Sequence, residues 1–299
     1  MPQIEIAKQA GACYGVERAL KMVREAVVQA QGEGKAKAEV HTLGPLIHNP
    51  QVVAELEAQS VTVVDSPAQR PGSTLVMRTH GVTPQVEQAA RDAGVHILDA
   101  TCPYVKKAHL AAERLSREGY QVIIVGEEGH PEVEGTLGHA PEALVINDAS
   151  EVEGVEVARR VGVVVQTTQT RACLEAVVGR LLGMAEETRI INTICDATTE
   201  RQNAAAELAS RADAMVIIGG RNSANTTHLA EICAAHCPQT HHIETAQELD
   251  AAWFSGAALI GITAGASTPG EQIERVRGRI EALTNVADLD SKHDAAGER

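Results

Sequence analysis

Asp99–His109 reads DATCPYVKKAH: the end of a short apolar run (Val95 to Asp99), a cysteine, and a proline ahead of a helical stretch (Val105 to Arg117). Proline fits the first turn of a helix, where its missing N–H has no partner to lose. The partial positive charge of a helix N-terminus favours a thiolate at this junction, and its N–H groups can reach a ligated sulfur. The same junction occurs twice more. GACYGVERAL (Gly11–Leu20) leads into the helical stretch Val16 to Gln31, and TICDATTERQ (Thr193–Gln202) leads into Thr198 to Arg211. Cys13, Cys102 and Cys195 stand 89 and 93 residues apart, so the sequence falls into three similar parts.

Two polar loops follow each cysteine at comparable distances. After Cys13 come His48 in LIHNP and His80 in RTHGV. After Cys102 come His130 in GHPEVEGT and Thr167 in QTTQT. After Cys195 come Ser223 in GRNSANTTHL and Ser267 in TAGASTP. Val/Ile-rich runs that read as buried strands lie between them: Glu39 to Leu43, Val61 to Asp65, Thr74 to Arg78, Val95 to Asp99, Gln121 to Gly126, Leu144 to Asn147, Gly162 to Gln166, Ile190 to Ile194, Met215 to Gly219 and Ala258 to Thr263. Their alternation with helical stretches predicts parallel α/β layers whose ligands sit beyond the carboxyl ends of strands. The expected organisation is three α/β units (1–101, 102–194 and 195–284) in pseudo-threefold arrangement, followed by a flexible tail over 285–299. In that arrangement three thiolates and six polar loops would face one cavity.

Composition narrows the function. At 299 residues, with 44% hydrophobic and 22% charged residues, the chain is long enough for two or three compact domains. A net charge of −14 argues against a nucleic-acid or acidic-membrane partner, which requires a positive field. An anionic ligand would have to be held locally, by imidazoles, hydroxyls and backbone N–H groups. The start MPQIEIAKQAGACYG has neither the charged nor the apolar segment of a signal peptide, which predicts a soluble cytoplasmic protein. In that setting six dispersed cysteines read as thiols or metal ligands.

Three matching cysteines suit one metal centre better than three separate accidents. Iron–sulfur clusters usually take four thiolates, so three would leave one iron open to a substrate oxygen. The remaining cysteines, Cys173, Cys233 and Cys237, lie in helical stretches and read as core thiols. The spacing of Cys233, His236, Cys237 and His241 permits zinc but lacks a knuckle. His41 reads as structural.

GACYGVERAL, LIHNPQVV, RTHGV, DATCPYV, GHPEVEGT, QTTQT, ICDATTERQ, NSANTTHL and TAGASTP together resemble, in order, the motifs of the IspH/LytB family, the 4-hydroxy-3-methylbut-2-enyl diphosphate reductases. The resemblance runs from about Cys13 to Pro269. It implies three α/β units around a central [4Fe–4S] cluster held by Cys13, Cys102 and Cys195, with the substrate hydroxyl on the open iron. It implies Glu132 as the proton source. It also implies His48, His80 and His130 as diphosphate-binding groups, Ser223, Asn225 and Ser267 as further donors, and Thr167 as the group that positions the hydroxyl end and relays a proton. The implied reaction removes the C4 hydroxyl with two electrons and two protons, giving isopentenyl and dimethylallyl diphosphates at the end of the non-mevalonate isoprenoid route.

The resemblance implies a ferredoxin or flavodoxin as the electron donor, in keeping with the lack of a flavin or nicotinamide fingerprint after any strand. Two positions depart from the family pattern: Ala12 stands where Phe is common, and Ala224 where a second Ser is common. Two other readings use the same residues: a non-redox iron–sulfur hydro-lyase, and a metal-free phosphate-binding module.

Overall fold

The computed structural model describes residues 2–32, 39–67 and 72–296. The chain opens with β1 (Gln3–Ile6) and α1 (Tyr14–Gly32), followed by β2 (Val40–Leu43), α2 (Pro50–Ala58), β3 (Val61–Val64), β4 (Thr74–Met77), α3 (Pro84–Asp92) and β5 (His96–Asp99). A second round runs α4 (Pro103–Arg117), β6 (Gln121–Val125), α5 (Pro131–His139), β7 (Leu144–Ile146), β8 (Arg160–Val165), α6 (Arg171–Leu181) and β9 (Glu187–Ile190). The third runs α7 (Asp196–Ala209), β10 (Ala214–Ile218), α8 (Ala224–His236), β11 (Thr240–Ile243), β12 (Leu259–Ala264) and α9 (Gly270–Ala296).

Among the described residues the strands form three parallel four-stranded sheets, ordered β3-β2-β4-β5, β7-β6-β8-β9 and β11-β10-β12-β1. Each order is second, first, third, fourth in its round, and in the last sheet the opening strand of the chain takes the fourth place. Between the first and third strands of every sheet the order reverses. Such a reversal opens a crevice at the carboxyl ends of those two strands. The chain folds as two compact units: Tyr14–Cys195, which holds the sheets of β2 and β6, and Met1–Cys13 with Asp196–Arg299, which holds the sheet of β10.

Three helices start at a polar residue followed by proline. Asn49 accepts from the N–H groups of Gln51 and Val52 ahead of Pro50, Thr83 accepts from Val86 ahead of Pro84, and His130 accepts from Glu132 ahead of Pro131. The residue before a proline is pushed out of the α region, so these helices begin sharply. Cys102 holds the matching place before Pro103, but its side chain accepts no capping bond. The central strands β6, β8 and β10 are apolar on both faces, as a sheet covered on both sides requires. Ile123, Val163, Ile217 and Ile262 are fully buried. Burying each such side chain contributes about 1.5–3 kcal/mol.

Three strands differ from expectation. β1 and β11 are absent from the expected set, and β9 lies at Glu187–Ile190 instead of Ile190 to Ile194. All three are edge strands, short and rich in polar residues, which need not be apolar on both faces. α9 also continues to Ala296, through most of the stretch expected as a flexible tail; no proline or glycine interrupts it after Gly278, while 297–299 lie outside the described residues. No helix among the described residues is long and apolar enough to cross a membrane.

Candidate functional site

Every polar loop singled out from sequence lies at the carboxyl end of a first or third strand of its sheet. In the larger unit, His48 follows β2, His80 follows β4, His130 and Glu132 follow β6, and Thr167 follows β8. The three imidazoles meet: ring centroids lie 4.3 Å apart for His48 and His80, 5.4 Å for His48 and His130, and 5.7 Å for His80 and His130. Burial, followed by the nearby Arg78 guanidinium, lowers the pKa of His48. Burial also holds His80 well below the usual histidine value, with His48, His130 and Arg78 adding to it. At His48 and His80 the burial therefore favours the neutral ring. His130 takes the Glu132 N–H on Nδ1 at 3.1 Å, which leaves its own proton on Nε2. Nε2 of His48 and Nδ1 of His80 are buried with no hydrogen-bond partner, a costly state for polar atoms that a ligand would relieve.

Gly81, directly after His80, lets the loop turn close against His109. Its φ of +73° lies in the left-handed region, and an added Cβ would meet Cε1 of His109 at 2.6 Å.

Glu132 is 3% exposed. It receives the backbone N–H of Thr167 at 2.6 Å and the Thr167 hydroxyl at 2.8 Å. Burial nevertheless pushes its carboxyl up to about 7, against the pull of the two Thr167 bonds, with the Glu127 charge adding a smaller upward push. A buried acid poised near neutrality can hold and release a proton at working pH.

The cysteines recur in one setting. The N–H of Cys102 donates to the carbonyl of Thr79, beside His80, at 3.0 Å. That of Cys195 donates to the carbonyl of Thr167 at 3.1 Å. In the smaller unit, the N–H of Cys13 donates to the carbonyl of Ala266, beside Ser267, at 3.1 Å. Each cysteine follows the fourth strand of its sheet and is tied by its backbone to the polar loop of the third. Cys195 is thereby linked through Thr167 to Glu132.

The other thiols differ. Burial pushes Cys173 up to about 11 and Cys233 up to about 12, and Cys233 and Cys237 pack into the core with Met215 and Leu229. His241 stacks on Trp253 with centroids 3.9 Å apart, and His41 is buried in β2 against the Thr62 hydroxyl. Among the described residues no three His, Cys, Asp or Glu side chains are gathered as a metal site; by donor type the junction thiols fit soft metal ligation, while burial disfavours the thiolate at Cys173 and Cys233.

In the smaller unit Ser223 caps α8, accepting from the Thr226 N–H at 3.4 Å, and Ser267 lies on the loop after β12. Asn225 is 3% exposed, and both its amide atoms are buried without a partner, as expected of a donor and acceptor awaiting a ligand.

Three arginines escaped sequence reasoning. Arg18, in the helix after Cys13, donates to the carbonyls of Thr101 (3.3 Å) and Asp99 (3.5 Å), just before Cys102. Arg201, in the helix after Cys195, donates to the carbonyl of Gly11 at 2.7 Å, just before Cys13. Arg78 lies half-buried beneath Gly44, beside the histidines. The one available signal was the recurrence of an arginine five or six residues after a junction cysteine.

Residues 4–281 match the family model described as LytB protein. The chain belongs to the LytB protein family. This LytB chain is 44% identical over 287 residues to the 4-hydroxy-3-methylbut-2-enyl diphosphate reductase of Aquifex aeolicus, covering 95% of this chain and 97% of that one. It is 47% identical over 285 residues to the reductase of the same name from Geobacter sulfurreducens, covering 95% and 98%. Among solved structures it resembles (E)-4-hydroxy-3-methyl-but-2-enyl diphosphate reductase, called the terminal enzyme of the non-mevalonate pathway, at 43% identity and a TM-score of 0.68, covering 94% of this chain and all of that one. The corresponding reductase from Plasmodium falciparum superposes with a TM-score of 0.86 at 25% identity, covering 93% and 87%. The LytB family is iron–sulfur dependent.

Proposed function

We propose that this chain is a 4-hydroxy-3-methylbut-2-enyl diphosphate reductase. It replaces the C4 hydroxyl of the allylic diphosphate by hydrogen, consuming two electrons and two protons, releasing water and giving isopentenyl and dimethylallyl diphosphates. Family membership and nearly full-length similarity to reductases of that name support the reaction. The observation that carries the chemistry is the buried Glu132, poised near pH 7 and bonded twice to Thr167, whose carbonyl holds the Cys195 N–H.

Cys13, Cys102 and Cys195 are the residues that would hold a [4Fe–4S] cluster. When bound, that cluster supplies the electrons and, at an iron lacking a protein ligand, a Lewis acid for the hydroxyl. The protein's own residues do the rest. His48, His80 and His130 donate N–H groups to the diphosphate, and His48 and His80, where burial favours the neutral ring, can take up protons as its charge arrives. Ser223, Asn225 and Ser267 are further hydroxyl and amide donors to it. Glu132 delivers a proton to the departing hydroxyl or the allylic carbon, and the Thr167 hydroxyl holds the carboxyl in place and relays that proton. A ferredoxin or flavodoxin is the electron donor, and a cytoplasmic setting fits six cysteines none of which is disulfide-bonded.

The test is anaerobic turnover of 4-hydroxy-3-methylbut-2-enyl diphosphate with and without reduced methyl viologen. The expected result is isopentenyl and dimethylallyl diphosphates only when reductant is present, with two electrons consumed per product. Loss of the hydroxyl without reductant would identify a hydro-lyase instead.

A further inference from the structure

The chain has five aromatic residues, and three of them belong to cores: Tyr120 is 9% exposed, Phe254 is 5% exposed, and Trp253 packs against the cluster that contains Phe254. The other two, Tyr14 and Tyr104, stand one and two residues after Cys13 and Cys102. Tyr14 is 66% exposed, the kind of surface aromatic that anchors protein contacts.

Charge around them runs against that of the whole molecule. In a chain of net charge −14, α1 and α4 carry seven Lys and Arg against three Glu. α7, which follows Cys195, carries one Arg against three acids. On α1, Tyr14, Arg18 and Lys21 share one face at helical spacing. Arg18 ties that face to the loop leading into α4 through its bonds to Thr101 and Asp99. On α4, Lys107 lies over the Tyr104 ring, 4.8 Å from its centroid, and Leu110, one turn on, is 64% exposed. Aromatic and apolar groups with Arg18, Lys21 and Lys107 beside them, on an otherwise acidic molecule, fit an acidic protein partner.

We propose that Tyr14, Arg18, Lys21, Tyr104, Lys107 and Leu110 form the docking face for an acidic one-electron carrier protein. The inference rests on the reductase reading, because that reaction draws two electrons per turnover from outside the chain. Two reduced carriers dock in succession, each losing one electron, and together with two protons they convert the C4 hydroxyl to water.

The test uses the cluster-loaded protein and an acidic [2Fe–2S] ferredoxin. Affinity is measured by titration calorimetry at two salt concentrations, and turnover is measured in parallel with reduced methyl viologen, a small cation that needs no protein interface. The double variant Lys21→Glu and Lys107→Glu should weaken ferredoxin binding at low salt by at least about tenfold and flatten its salt dependence. Tyr14→Ala should weaken binding about fivefold or more. Viologen-driven turnover should stay within about twofold of the parent. Arg159→Glu, at the amino end of β8 and 81% exposed at its side chain, should leave affinity unchanged. Unaltered affinity and salt slope in the double variant, or an equal loss in Arg159→Glu, overturns the docking face. A parent with no viologen-driven turnover refutes the reductase reading instead, and leaves the binding measurement to judge the face by itself.

Discussion

Glu132 combines burial with two hydrogen bonds from one residue, and burial wins: its carboxyl sits at about 7, above the ordinary 4.5. The folded state therefore favours the protonated form. There is no penalty below the unfolded pKa, a growing one as pH rises from 4.5 towards 7, and the full penalty above 7. Glu132→Gln removes it, so the variant should gain on the order of 2–4 kcal/mol of stability relative to the parent between pH 4 and pH 8, read by urea unfolding at both values. The same change should lower turnover by roughly 10²–10³-fold, the usual worth of a positioned acid. The histidine triad yields a second expectation. Because burial lowers the pKa of His48 and His80, diphosphate binding should draw protons onto the rings, and calorimetry in buffers of different ionisation enthalpy should register net proton uptake near pH 7. His80→Ala should abolish most of that uptake and weaken binding at least tenfold. The cysteines, histidines and Glu132 were legible in sequence because each sits in a short motif at a strand end. Arg201 was not, since its partner, the Gly11 carbonyl, lies 190 residues away and only the recurrence of an arginine after two of the cysteines pointed to it.

At the scale of elements, the central strands and the helices that follow the cysteines could be read directly, because apolar runs and helical spacing are local signals, joined by Pro103 at the start of α4. β1, β9 and β11 could not, because an edge strand is held by backbone pairing with one neighbour and places few demands on its side chains. Their role is positional all the same. β1, β5 and β9 are the fourth strands, and each delivers the chain to a cysteine. Arg18 and Arg201, on the helices after Cys13 and Cys195, hold the loops ahead of Cys102 and Cys13. Arg201→Ala removes a charged donor from a buried carbonyl and should cost on the order of 1.5–3 kcal/mol, read as a lowered unfolding midpoint. It should also reduce iron bound per chain after anaerobic reconstitution, because the loop that carries Cys13 loses its tether. Arg201→Lys should restore part of both.

Across the whole molecule, one strand order is used three times, and the third sheet is completed by the opening strand of the chain. The spacing of the cysteines made the threefold repetition legible. The return of β1 to the last sheet was not legible, because a strand of four residues at an edge gives no hint of its partner. The repetition gives each sheet a cysteine whose N–H is held by the loop after the third strand, so the three thiols are presented alike while Cys173, Cys233 and Cys237 are not. The most direct test of that distinction is iron and acid-labile sulfide content after anaerobic purification, for single Cys→Ser variants at all six positions. Cluster content should collapse in the variants of Cys13, Cys102 and Cys195 and stay near the parent value in those of Cys173, Cys233 and Cys237. Full iron and sulfide content after loss of any one of the first three would contradict the account.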